Sequence, residues 1–137
     1  MKLFLDSSAF AKRFVEEAGS REVEALCSQA AELCLSVVCV PEIVSALSRR
    51  RREKVLSPRD YARAKERLAL DVRDAVIVNL TPDVVQESIK VLETTAVRTM
   101  DALHIASALV WDADLFATAD QRQLAAAKLL GLKTRLV

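Results

Sequence analysis

Aromatic side chains are scarce in this sequence. They make up 4% of it, against 52% hydrophobic residues overall, so the interior has to be built from Ala, Val, Leu and Ile. That mixture suits helices packed on a buried parallel sheet. Glycine and proline are also rare, at two and three residues in 137, which leaves no flexible linker, repeat or low-complexity tract to divide the chain. A single domain spanning 1-137 is expected, large enough to bury a core without staples. Cysteine occurs three times, as Cys27, Cys34 and Cys39, with no Cys-x-x-Cys pair and one histidine in the whole chain. The three thiols read as reduced core residues, with structural zinc the minor alternative. No apolar run approaches a membrane span or a signal peptide, so a cytoplasmic protein is expected. An excess of one charge is missing too: the net charge is +1, and any attraction for a polyanion has to come from a local patch.

Against this background one stretch stands out, Arg98 to Val110. Thr99 reads as an N-cap, Asp101 falls in the first turn where the helix dipole favours a negative charge, and no Gly or Pro follows. From Met100 onward the polar side chains are Asp101, His104 and Ser107, three apart, so they form one narrow stripe on a helix otherwise apolar all round. A carboxylate carried into such a setting is costly unless a cation, a metal or several donors meet it. No Lys or Arg stands one turn away to do so.

The remaining chain alternates strand and helix. Lys2 to Leu5 reads as a strand, followed by a helix from Asp6-Ser7-Ser8 through about Glu17 and a second from Arg21 to about Ala31. Leu33 to Ser36 is a strand with an ambiguous continuation to Val40, and Pro41 suits the first position of a third helix that ends in Arg49-Arg50-Arg51-Arg52. Ser57-Pro58 opens an amphipathic helix to about Val72, Ala75 to Leu80 is a strand, and Thr81-Pro82-Asp83 starts a helix that fades near Thr94-Thr95. After the central helix come a strand over Asp114 to Thr118, a helix from Asp120 through Leu130 stopped by Gly131, and a last strand over Leu132 to Val137. The economical architecture is a three-layer α/β/α domain with a parallel sheet of about five strands and right-handed crossovers. Function is expected at the carboxyl edge of the strands.

Four acids are directed to that edge. Asp6 directly follows the first strand, Asp120 follows the strand ending at Thr118, and Glu42 and Asp101 occupy first turns of helices that leave or approach it. Like charges so close raise one another's pKa unless a divalent cation neutralises them. Hard oxygen donors without His or Cys select Mg²⁺ or Mn²⁺. Each acid is also what a helix N-terminus prefers, and taken singly the capping role is the commoner one; it is the four together that reverse the odds. Asp83, a first-turn acid with no reason to face the others, is read as a dipole partner only.

The segments Phe4-Leu5-Asp6-Ser7-Ser8-Ala9, Val40-Pro41-Glu42-Ile43-Val44-Ser45-Ala46-Leu47, Thr99-Met100-Asp101-Ala102-Leu103-His104-Ile105-Ala106-Ser107-Ala108 and Ala117-Thr118-Ala119-Asp120 resemble the four signature blocks of the PIN-domain nucleases, most closely the VapC toxins of toxin–antitoxin pairs. The resemblance is in order and covers essentially the whole chain. It implies a Mg²⁺- or Mn²⁺-dependent endoribonuclease, usually a homodimer, held inactive by a cognate antitoxin. Carried over, Asp6, Glu42, Asp101 and Asp120 are the acidic tetrad, with Asp6 and Asp101 expected as direct ligands and Glu42 and Asp120 acting through water or holding a second ion. Ser7, Ser8 and Thr118 are expected to orient a ligand, a phosphate or a bound water, or to make only local cap bonds. His104 is expected as a buried residue satisfied by its neighbours. The run Arg49, Arg50, Arg51, Arg52 is either a solvated helix end or a set of RNA phosphate contacts. Phe10, Phe14, Val23 and Leu26 are read as core, some of it available to a dimer partner or the antitoxin. The rival reading is a catalytically idle PIN-like RNA-binding or regulatory module. Receiver and haloacid-dehalogenase-type domains fit poorly, because Ser7 and Ser8 stand where each would place a second acid.

Overall fold

Strand β1 (Lys2–Leu5) lies at the middle of a five-stranded sheet, and its side chains explain both layers around it. Successive residues of a strand point to opposite faces. Leu3 and Leu5 accordingly enter one core, with Leu35 and Ala117, while Phe4 enters the other with Cys34 and Phe116. The computed structural model describes all 137 residues. Its further elements are α1 (Ser7–Phe10), α2 (Ser20–Gln29), β2 (Glu32–Ser36), α3 (Cys39–Arg52), α4 (Pro58–Asp74), β3 (Val76–Val78), α5 (Pro82–Thr94), α6 (Thr99–Trp111), β4 (Leu115–Thr118), α7 (Gln121–Leu129) and β5 (Thr134–Leu136). Residues of α1 to α4 fill the first core, and residues of α5 to α7 fill the second. No helix is long and apolar enough to cross a membrane.

The sheet order is β3-β2-β1-β4-β5, and every pairing is parallel. The chain therefore winds outward on one side of β1, then returns through α5 and α6 to wind outward on the other. Where the winding reverses, between β1 and β4, the loops leave in opposite directions and open a crevice at the carboxyl edge. Register fixes what stands there: Leu5 pairs with Ala117, so Asp6 and Thr118 are the next residues on adjacent strands. The amide of Asp6 extends the ladder by one bond to the Ala117 carbonyl at 3.2 Å.

Several boundaries differ from the sequence expectation, among them the strand expected over Ala75 to Leu80, which shortens to Val76–Val78; four of the differences have a local reason. The first helix stops at Phe10 and tightens into a 3₁₀ turn over Ala11–Arg13 rather than running to Glu17. The tighter winding folds Phe14 edge-on against Phe10, with centroids 4.9 Å apart, and Lys12 then closes the loop on the Ala18 carbonyl. Helix α3 begins at Cys39, two residues ahead of Pro41, which resolves the ambiguous run; proline is tolerated anywhere in a first turn whose N–H groups lack partners. Arg98, not Thr99, is the extended residue before α6, and its side chain makes no cap bond. The last strand spans only three residues because Leu132 turns inward to the core.

Phe4 and Phe116 stack across β1 and β4 with centroids 5.6 Å apart, both fully buried. Both rings lie in the core that α5, α6 and α7 cover. Phe116→Ala is expected to cost about 3–5 kcal/mol, read as a lower urea midpoint at unchanged m-value.

Candidate active site

Asp6 is the N-cap of α1, and that role turns its carboxyl group back over the edge of the sheet. One oxygen accepts the Ala9 amide at 2.9 Å and the Ser8 hydroxyl at 2.7 Å. The other accepts the Thr118 hydroxyl at 2.6 Å, as the β1/β4 register demands. The residue is 3% exposed, and no Lys or Arg lies within ion-pair distance. Burial therefore pushes its pKa above the ordinary carboxylate value, against the opposing pull of Thr118, Ala9, the charge of His104 and Ser8. Ser8 and Thr118 also accept the amides of Ala119 and Asp120, at 2.9 and 3.0 Å, so they lock the β4–α7 loop onto the same carboxylate.

Glu42 sits in the first turn of α3. Its Oε1 accepts the Ser7 hydroxyl at 2.8 Å and His104 Nε2 at 2.5 Å. Burial raises its pKa, but the hydrogen bond and charge of His104, with Ser7, outweigh this and hold it below the usual value. His104 is 2% exposed, and with Nε2 given to Glu42 its Nδ1 is the one buried side-chain polar atom without a partner. The expectation of a fully satisfied histidine is corrected on that atom: the side of the ring away from Glu42 packs against apolar groups, with Phe4 edge-on at 6.4 Å.

Asp101, in the first turn of α6, is held by Gln123 Nε2 at 3.1 Å. Its pKa is raised by burial and by the charge of Asp120, with a smaller contribution from Glu42. Asp120 caps α7 through the Arg122 and Gln123 amides, at 2.8 and 3.4 Å. Glu42, Asp101 and Asp120 line one cleft of about 760 Å³ together with Arg49, Arg98 and Arg122. Asp6, buried at the end of β1, does not line it. No three His, Cys, Asp or Glu side chains already close into a metal cage.

The arginine run divides. Arg49 lines the cleft, whereas Arg50 pairs with Glu17 at 3.7 Å, Arg51 lies over the Tyr61 ring at 5.3 Å, and Arg51 and Arg52 border a separate hollow with Ser48. A helix turns by 100° per residue, so four consecutive side chains cannot share one face.

The PIN domain family model matches residues 3–129. The chain belongs to the PIN domain family. Solved structures agree on the fold. A VapBC2 complex from Rickettsia felis bound to a promoter DNA fragment aligns at TM-score 0.72 and 11% identity, covering 100% of this chain and 99% of that one. VapC20 from Mycobacterium tuberculosis, a sarcin–ricin loop cleaving toxin, aligns at 0.69 and 18%, covering 90% and 94%. A toxin–antitoxin complex from Klebsiella pneumoniae aligns at 0.68 and 17%, covering 91% of each chain. No curated protein matches the sequence.

Sequence reasoning missed one member of this PIN domain's polar network. Gln123 is 1% exposed and spans the site, with Oε1 3.3 Å from Thr118 Oγ1 and Nε2 on Asp101. The available signal was its place three residues after a capping Asp, where a Gln usually reaches back to the cap; here it reaches across to α6 instead.

Because folded Asp6 and Asp101 keep their protons to higher pH than the unfolded chain does, their ionisation lowers stability as pH rises between the unfolded and folded values. Without added metal, Asp6→Asn is therefore expected to melt a few degrees above wild type at neutral pH, the scale of ~1 kcal/mol in a chain of this size. The difference should vanish in acid. Thermal melts across pH check it, and a variant that melts lower at pH 7 contradicts it.

Proposed function

We propose that this PIN domain is a Mg²⁺- or Mn²⁺-dependent endoribonuclease and the toxin of a toxin–antitoxin pair. The observation that carries the reading is a set of four carboxylates at the switch of the sheet, three of them in one cleft, with no Lys or Arg paired to any. The donor set fits a hard divalent cation: all oxygen, unpaired with any Lys or Arg, and with the pKa of Asp6 and of Asp101 raised by burial, a cost that a nearby positive charge offsets. It fits a hydrated ion rather than a closed cage, as Mg²⁺ keeps several waters and takes one or two protein carboxylates directly. Asp6 and Asp101 would hold the ion, with Glu42 and Asp120 meeting it through water or holding a second.

When bound, such an ion polarises the phosphate and lowers the pKa of water at the site. The chain's own part is placement. Ser8 and Thr118 fix the rotamer of Asp6, Gln123 fixes Asp101, and Ser7 with His104 fixes Glu42 as an anion able to accept a hydrogen bond from an attacking water. Attack of water on phosphorus with rupture of the bond to the 3′ oxygen leaves a 5′-phosphate and a 3′-hydroxyl. A protein antitoxin that covers the cleft, and association as a homodimer, belong to the same proposal; toxin–antitoxin complexes among the solved structures of this fold support the first.

Purified protein with a labelled RNA and Mn²⁺ is expected to yield 5′-phosphate products that EDTA suppresses. Asp101→Asn should lower the rate by about 10²-fold or more, the scale of removing one preorganised charged group, and Gln123→Ala by about 10–100-fold as a group supporting a ligand. RNA left intact by the wild type across metals, or cut equally well by Asp101→Asn, overturns the reading.

A further inference from the structure

Three arginines from three elements share the cleft with the acids: Arg49 in the last turn of α3, Arg98 ahead of α6 and Arg122 in the first turn of α7. All three are exposed. Elsewhere the chain pairs its arginines readily, Arg13 with Asp71 at 2.8 Å and Arg67 with Glu24 at 2.7 Å. Around this cleft, with three carboxylates in its wall, no arginine comes within 4.0 Å of one, and the acids are engaged by hydroxyl, amide and imidazole donors instead. Their guanidiniums are thus uncommitted.

The geometry points to Arg49, Arg98 and Arg122 as a rim that grips the phosphates of the polynucleotide on either side of the bond to be cut. The inference rests on the proposed nuclease reading and adds to it which side chains hold the strand. Charge decides why a rim is needed. Four carboxylates repel a phosphodiester, and three guanidiniums offset three of those four charges whether or not an ion is bound. Guanidinium forks also match phosphate oxygens two at a time. The three together neutralise phosphates on either side of the cleft without reading bases, so they set affinity and position rather than sequence. Arg50, Arg51 and Arg52, although consecutive with Arg49, are turned to Glu17, Tyr61 and a separate hollow and take no part.

The test is binding of a fluorescein-labelled single-stranded RNA by anisotropy over a KCl series, in EDTA so that cleavage does not compete. Alanine at Arg49, Arg98 or Arg122 should reduce the slope of log K against log salt by about 0.7 each, and the triple variant by about 2. Arg98→Lys should keep the slope, as should Arg51→Ala combined with Arg52→Ala. Melting temperatures equal to wild type show that the exposed substitutions leave the fold intact. A triple variant with the wild-type slope overturns the rim, as does an equal loss from Arg51→Ala with Arg52→Ala, or a wild type that binds no RNA. Cleavage with Mn²⁺ separates the two readings. A wild type that cuts, with a slope untouched by the triple variant, sinks the rim alone. A wild type that does not cut, with a slope flattened by it, supports the rim as an RNA-binding surface and sinks the nuclease.

Discussion

One negative charge, buried at the end of the central strand and given hydrogen bonds but no cation, constrains the rest of this molecule. Asp6 has three donors and 3% exposure. Hydrogen bonds alone do not repay the burial, and its pKa moves up. A fold selected only for stability would replace it with an apolar or neutral residue, because a buried charge without a partner is among the most costly features a core can carry. Keeping it requires the β1/β4 register that supplies Thr118, the short α1 whose first turn supplies Ser8 and Ala9, and the loop that both hydroxyls clamp. The same strand end then orients Ser7 toward Glu42, and Glu42 toward His104.

The acids were legible in the sequence because they sit at helix starts, where a single residue both caps and points at the sheet edge. Alternation of apolar strands with helices was enough for the parallel sheet, and the register that joins Asp6 to Thr118 follows once β1 and β4 are neighbours. Residues whose role depends on distance in space were not legible. Gln123 looks like an ordinary capping-box residue until α6 is seen beside α7. Arg98 and Arg122 look like isolated surface charges, while the run Arg49–Arg52 draws the eye although helical rotation sends three of its members elsewhere. The stop at Phe10 was hidden as well, since no Gly or Pro marks it; packing of Phe14 on Phe10 imposes it from the tertiary structure.

The cleft also shows how one fold can keep opposite charges side by side without cancelling them. The carboxylates take their hydrogen bonds from uncharged or imidazole donors rooted in α1, β4, α6 and α7, and the arginines are left to solvent at the rim. Asp6 is buried, Glu42 and Asp101 are half-buried, and Asp120 is exposed like the three arginines. For a PIN domain proposed to act on a polyanion, acids and guanidiniums in one cleft offer the strand both a metal-binding donor set and phosphate contacts.

The central claim, that the acidic cluster is short of a cation which a divalent ion supplies, is tested most directly by thermal unfolding of the full chain against rising Mn²⁺. An ion that binds only the folded state raises stability by about 2.7 kcal/mol at a hundredfold excess over its dissociation constant. The account predicts a melting temperature that climbs with Mn²⁺ in the wild type and stays nearly flat when Asp6→Asn and Asp101→Asn are combined. A wild type indifferent to Mn²⁺, or a double variant stabilised just as much, would contradict it.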